Sequence, residues 1–324
     1  MMKPIGIIAG DPNSINSEII GKMWKQKSTF KNINIFVIGN FNLLKKQLKA
    51  LKININIKKI NTIKNQNFKK KLLILDVPLS FKKPFNVQNK VKVKYILNSF
   101  DMAIKMSLEK KILGFINCPI NKKEVFKNKN YGITEFLGKK LGVLGKEVML
   151  IYNKKLAIAP ITTHIKLRKV SRALSKQKIK EKIKIINNFY IKKLKIKPKI
   201  GILGLNPHND EMRKNSEEKT FIIPAINELK LKGLNVNGPL APDTAFLNYQ
   251  RYGYNVLIGM YHDQVLSPFK ALFKFNAINI TLGIPLLRVS PDHGTGTDII
   301  RKNLANPESL ISSINFFKNK NVKT

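Results

Sequence analysis

The chain has 324 residues, and its 60 Lys and Arg against 19 Asp and Glu leave a net charge of +41. A hydrophobic share of 43% argues against a disordered chain, and a single cysteine, Cys118, excludes an internal disulfide framework. No apolar run approaches a membrane span and the N-terminus lacks the apolar stretch of a signal peptide, so a cytoplasmic protein is expected.

Such a length exceeds one ordinary core and predicts two lobes. In the first part, apolar runs at 5–9, 33–38, 72–76 and 112–117 read as buried strands separated by amphipathic stretches, the pattern of parallel α/β architecture. Residues 91–110 place Val91, Tyr95, Ile96, Phe100, Ala103, Ile104 and Leu108 near helical spacing. The character changes near residue 125. Strands at 148–151 and 156–161 are joined by the turn Asn153-Lys154-Lys155, and a very basic helical region covers 167–194. Further strands are expected at 199–205, 256–260 and 278–282, and helices at 297–304 and 308–317, the last opened by Pro307. The expected fold class is α/β, with two α/β/α lobes, largely parallel sheets and an active-site cleft between the lobes. Residues 1–125 with 290–324 make the first lobe, and 126–289 the second.

The charge raises the question of a nucleic-acid partner. Lysines, however, are spread over loops (Lys64, Lys69, Lys70, Lys71), turns (Lys154, Lys155) and helix faces (Lys178, Lys180, Lys182, Lys184). They form no stripe with interleaved aromatics and follow no zinc-finger spacing. Nucleic acid is therefore not the expected partner, and the remaining consequence is a field that attracts small anions.

Only four histidines occur, and three share one local setting. His164 follows the run ending at Ile161, His208 follows Leu205, and His262 follows Met260. In open α/β sheets ligands bind outside the carboxyl ends of strands, so these imidazoles are candidates to converge on one site. Neutral imidazoles with open positions suit a divalent metal. Each taken alone also fits an ordinary hydrogen-bonded loop residue, and no close motif such as H-E-x-x-H is present.

At these residues the chain resembles a known family. Thr162-Thr163-His164, Asn206-Pro207-His208 and Tyr261-His262-Asp263-Gln264 are similar, in order and interval, to the metal-ligand segments of the 4-hydroxythreonine-4-phosphate dehydrogenases. Gly10-Asp11-Pro12 with Glu18, Pro119-Ile120-Asn121-Lys122, Gly238-Pro239-Leu240 with Asp243-Thr244, and Asn279-Ile280-Thr281-Leu282-Gly283 extend the likeness, as does Asp292-His293-Gly294-Thr295.

The resemblance implies a homodimer of two-lobed subunits, related in fold to the isocitrate and isopropylmalate dehydrogenases, with active sites shared between partners. It implies oxidation of the substrate 3-hydroxyl by NAD, then decarboxylation to 3-amino-2-oxopropyl phosphate, a step of pyridoxal phosphate synthesis. His164, His208 and His262 would hold one divalent cation (Zn, Mg or Co), while Thr134, Lys270, Asn279 and Arg288 would contact the phosphorylated substrate. Asp243 and Asp263 are candidate proton acceptors or partners that orient an imidazole, and Asp263 could equally cap a helix. His293, Gly294, Thr295 and Asp298 resemble the adenosine loop of isocitrate-type enzymes, with Asp298 placed to accept ribose hydroxyls. Gly294 and Gly296 fit a helix-start turn as well, and Gly10-Asp11-Pro12 fits an ordinary strand-to-helix turn.

Three places depart from the family. Gly132-Ile133-Thr134-Glu135 stands where the family has Gly-His-Thr-Glu, so a substrate-binding imidazole is replaced by a side chain that cannot donate. The loop after His208 has Asp210, Met212 and Arg213 in place of glycines, and the opening loop reads Asn13-Ser14-Ile15-Asn16-Ser17 where the family favours Ala, Gly and Pro. A related dehydrogenase of a phosphorylated sugar acid, threonate or erythronate 4-phosphate, is the alternative reading.

Overall fold

The computed structural model describes residues 3–127, 132–274 and 276–318. Its strands are β1 (Ile5–Ile8), β2 (Ile35–Gly39), β3 (Ile57–Ile60), β4 (Leu72–Asp76), β5 (Gly114–Asn117), β6 (Val148–Tyr152), β7 (Ala157–Pro160), β8 (Ile200–Leu203), β9 (Val236–Leu240), β10 (Val256–Gly259), β11 (Ile278–Leu282) and β12 (Arg288–Pro291). The α-helices are α1 (Asn16–Lys25), α2 (Phe41–Ala50), α3 (Asn89–Leu108), α4 (Lys122–Phe126), α5 (Ile133–Lys140), α6 (Val170–Ala173), α7 (Lys176–Phe189), α8 (Ile223–Leu231), α9 (Pro242–Asn248), α10 (His262–Phe273) and α11 (Glu308–Phe316). The chain divides into two compact units, Met1–Lys129 with Pro285–Thr324, and Asn130–Ile284. No helix among the described residues is long and apolar enough to cross a membrane.

In the first unit the strand order is β3-β4-β2-β1-β5-β12, and every pairing is parallel. The continuous apolar runs of β1, β2 and β4 follow from this, because a parallel sheet covered on both faces leaves no strand face for water. β3 escapes the sequence reading because it is an edge strand whose Lys58 and Lys59 are exposed. Helix α3 buries Tyr95, Ile96, Phe100, Ala103 and Ile104, whereas Leu108, assigned to the same face, is 49% exposed at the last turn.

The second unit has the order β11-β6-β7-β10-β8-β9. β6 runs antiparallel to both β11 and β7, while β7, β10, β8 and β9 are mutually parallel. The β6–β7 turn closes as expected, with Asn153 N–H donating to the Leu156 carbonyl at 3.1 Å and Lys155 N–H to Asn153 Oδ1 at 2.9 Å. On one side of this sheet Phe269 and Val265 of α10, Phe246 of α9 and Leu257 of β10 pack into a common core.

Two expectations need correction. The basic region 167–194 is not one helix: a 3-10 turn, Leu167–Lys169, and α6 precede a break at Leu174. Ser175 then starts α7 by accepting the Lys178 N–H at 3.2 Å, a side-chain cap that periodicity does not reveal. Residues 297–304 form only the 3-10 turn Thr297–Ile299, because Arg301 and Asn303 adopt left-handed φ values of 65° and 59°. That stretch is held from α1 instead: Glu18 accepts the Ala305 N–H at 2.8 Å, and Lys22 donates to the Asn303 and Ala305 carbonyls. Arg288 opens β12, pairing with Phe115 of β5.

Lys182 of α7 is a buried cation in the second unit, donating to the Glu147 carbonyl at 3.2 Å. Burial lowers its pKa from 10.5 to about 8; the Glu147 charge opposes the shift and Lys178 adds to it. Because the folded value is depressed, the unfolded chain binds the extra proton between about 8 and 10.5, and stability should rise with pH across that window. Lys182→Met is expected to melt above the wild type at pH 7, with the difference shrinking as pH climbs from about 8 towards 10.5. Thermal unfolding across that range checks it, and a variant that melts lower at pH 7 contradicts it.

Candidate active site

β10 lies between β7 and β8 in the parallel part of the second sheet, with Gly259 opposite Pro160 and Ile258 opposite Ile202. His164, His262 and His208 therefore leave the carboxyl ends of three adjacent strands, β7, β10 and β8. Side chains tie these strand ends together. The amide and hydroxyl of Thr162 both donate to the Met260 carbonyl, at 3.1 and 2.7 Å. Gln264 accepts the Met260 N–H at 2.7 Å and donates to the Gly204 carbonyl at 2.7 Å, linking the segments of His262 and His208. Beneath His208, the fully buried Glu218 accepts the amides of Leu205 and Asn206, at 2.7 and 2.9 Å, and the Asn206 side chain at 3.1 Å.

The His164 and His262 rings have centroids 5.6 Å apart. His208 stands apart, its side chain 74% exposed. Among the described residues no group of three or more His, Cys, Asp or Glu side chains is placed to hold one ion. His208 also begins a run of non-glycine residues, His208 to Met212, with φ between 47° and 57°. Left-handed backbone at such residues costs about 1–2 kcal/mol each, so glycine-free Asp210 and Met212 strain this loop. Asn209 helps to hold it by donating to the Pro239 carbonyl at 3.3 Å.

All three imidazoles have Nδ1 facing a carboxylate: His164 and Glu135 at 3.1 Å, His262 and Asp263 at 2.7 Å, His208 and Glu211 at 3.4 Å. At His164 and His262 the contact is a hydrogen bond, and since an ionised carboxylate only accepts, Nδ1 must carry the hydrogen there and, in the neutral ring, Nε2 must carry the lone pair. That tautomer is the one metal-binding histidines adopt when a carboxylate supports them from behind. In kind, the donor set fits a divalent transition ion, and two of its rings are already neighbours.

Glu135 is the most enclosed of the three carboxylates, with its side chain 13% exposed. Burial pushes its pKa up, but the hydrogen bond and charge of His164 and the hydrogen bond from Thr163 outweigh it and hold the value at about 2. Gly132, the N-cap of α5, leaves the space in which this pair packs: a Cβ there would stand 2.4 Å from His164 Cε1 and 2.7 Å from Glu135 Oε2.

The other candidates fall in several places. Thr134, in the first turn of α5, shares a hydrogen bond of 3.3 Å with Thr281, and both are buried. Asn279 lies two residues from Thr281 on β11 and so on the same strand face; its Oδ1 is buried without a hydrogen-bond partner. Lys270 sits in the last turn of α10, and Asp243 is exposed in the first turn of α9. Asp263 supplies no side-chain cap to α10 and instead faces His262. In the first unit, Arg288 is 1% exposed and donates from Nε to Asn117 Oδ1 at 2.6 Å. The segment His293-Gly294-Thr295 is partly ordered by neighbours, with Thr295 O accepting the Ile15 N–H at 3.1 Å and His293 Nδ1 3.0 Å from the Gly294 carbonyl. Asp298 is exposed.

The positioning contacts of Glu135, Gln264 and Glu218 are not legible in the sequence. The available signal was scarcity: in a chain with 19 acids, a carboxylate inside an apolar context is a candidate anchor.

Comparison with known proteins adds a family. The profile described as pyridoxal phosphate biosynthetic protein PdxA matches residues 31–317. A 4-hydroxythreonine-4-phosphate dehydrogenase of a Sulfurihydrogenibium species is 39% identical over 321 residues, covering 97% of each chain. A D-threonate 4-phosphate dehydrogenase of Salmonella typhimurium is 32% identical and covers 96% of this chain and 97% of its own. The crystal structure of 4-hydroxythreonine-4-phosphate dehydrogenase from Klebsiella pneumoniae superposes with a TM-score of 0.84 at 28% identity, over 100% of this chain and 99% of that one.

Gly132 gives a direct test of the packing around the imidazole. Gly132→Ala should cost about 1–3 kcal/mol by overpacking and lower the melting temperature measurably. An unchanged melting curve would show that His164 and Glu135 do not occupy the space described.

Proposed function

Because the chain belongs to the PdxA family of pyridoxal phosphate biosynthetic proteins, we propose that it oxidises 4-phosphooxy-L-threonine (4-hydroxythreonine 4-phosphate) at the 3-hydroxyl with NAD, followed by decarboxylation to 3-amino-2-oxopropyl phosphate. Family membership rests on the profile match across residues 31–317 and on full-length relatives. The observation that carries the chemistry is the display of three carboxylate-backed imidazoles at the ends of adjacent parallel strands.

His164, His208 and His262 would hold one divalent cation, with Zn, Mg and Co as the candidates and the imidazole set favouring Zn or Co. When bound, that ion supplies Lewis acidity to the substrate hydroxyl oxygen and to the negative charge left by decarboxylation. Thr134 and Asn279 offer neutral hydrogen-bonding groups for the substrate, and the unpartnered Asn279 Oδ1 is an acceptor that a substrate N–H or O–H would satisfy. Lys270 supplies a point charge, and Arg288 a planar cation suited to phosphate or carboxylate. Asp243 would take a proton from the reacting centre, and Asp263 would hold the His262 ring. His293, Gly294, Thr295 and Asp298 would receive the adenosine half of NAD, with exposed Asp298 accepting ribose hydroxyls. A homodimer with shared sites is part of the reading, and it gives the exposed His208 a place to be used.

Oxidation of threonate or erythronate 4-phosphate is the second reading. It is supported by the relative named for D-threonate 4-phosphate. Each reading predicts its own compound as the better substrate when both are offered with NAD and a divalent ion, read as NADH absorbance. His208→Ala should lose at least about a hundredfold in turnover and most bound metal, in line with removal of a metal ligand. Full activity in that variant, or no turnover of either compound by metal-loaded wild type, overturns the metal-dehydrogenase reading.

A further inference from the structure

We propose that Glu135 is a positioning residue for His164, locking the imidazole as its Nδ1–H tautomer so that Nε2 presents its lone pair. The inference deepens the reading of His164 as a metal ligand and rests on it for its purpose. Glu135 lies one residue beyond Thr134 in the first turn of α5, while its partners Thr163 and His164 lie 28 and 29 residues later, in the loop after β7. A single oxygen, Oε1, is 2.5 Å from the Thr163 hydroxyl and 3.1 Å from His164 Nδ1. Since that oxygen can only accept, both partners must donate, and the tautomer follows from the geometry.

Three features go beyond a simple tether. The Thr163 hydroxyl fixes the carboxylate from a second direction, so Oε1 cannot swing away without losing both bonds. Gly132 removes the one side chain that would displace the ring, as its Cβ would fall 2.4 Å from His164 Cε1 and 2.9 Å from Nδ1. The carboxylate is also far more enclosed than its counterparts: its side chain is 13% exposed, against 78% for Asp263 and 69% for Glu211. A hydrogen bond shielded from water competes less with solvent and holds its orientation better. Of the three histidines, His164 is thus the one whose orientation is built in before any ligand arrives.

The test uses full-length protein without metal, labelled with 15N in its imidazoles, at a pH above imidazole titration. Wild-type His164 should show the Nδ1–H pattern. Glu135→Met keeps the bulk of the side chain but removes the acceptor, and His164 should move towards the Nε2–H form or a mixture. Glu135→Gln retains an acceptor oxygen and should restore much of the Nδ1–H form. Glu135→Ala replaces Glu135→Met if the latter does not fold. Zinc affinity by chelator competition should fall about 10- to 100-fold in Glu135→Met and much less in Glu135→Gln. An Nε2–H pattern in wild type, or an unchanged tautomer in Glu135→Met, overturns the proposal. If the tautomer responds as stated but wild type binds no zinc, the metal reading fails while the positioning of His164 by Glu135 stands.

Discussion

A carboxylate placed behind an imidazole is the interaction on which the functional account depends. Three histidines at adjacent strand ends are only three polar loop residues unless something fixes which nitrogen faces outward. The hydrogen bonds from Nδ1 of His164 to Glu135 and of His262 to Asp263 supply that direction at two of them. The rest of the second unit serves to keep those pairs in register. Parallel pairing of β7, β10 and β8 sets the spacing of the strand ends, and Thr162, Gln264 and Glu218 tie the loops to one another's backbone.

The unusual charge balance gives these acids added weight. With 60 cations against 19 anions, surface carboxylates are rare, yet Glu18, Asp11, Glu147 and Glu218 are all buried. Glu18 and Glu218 accept backbone amides, of Ala305 ahead of α11 and of Leu205 and Asn206 in the His208 segment, respectively. Buried carboxylates persist only where such donors compensate for lost hydration. The lysine excess therefore colours the exterior and its field, while the scarce acids do the internal positioning.

How much of this could be read from the sequence depends on the range of the interaction. Apolar runs made the strand ends visible, because a buried parallel strand is nearly all hydrophobic, and the histidines stood just beyond them. The run 72–76 became β4 and 278–282 became β11 with the same limits. Edge strand β3 was hidden by its exposed lysines, and β9 by the Gly238-Pro239 pair within it. The Ser175 cap and the left-handed residues Arg301 and Asn303 broke expected helices by local backbone chemistry that periodicity does not encode. Most telling is Glu135: nothing in its neighbourhood announces a partner 29 residues away, and only the fold brings it to His164. Family motifs pointed to the histidines and to Asp263 as a partner for an imidazole, but Glu135 was visible in that role only in three dimensions.

X-ray absorption spectroscopy of the cobalt- or zinc-loaded protein tests the central claim most directly. The account predicts a first shell containing three imidazole nitrogens at about 2.0–2.1 Å, with the outer-shell scattering of ordered histidine rings. A first shell of oxygen alone, or one with no imidazole signature, would contradict it.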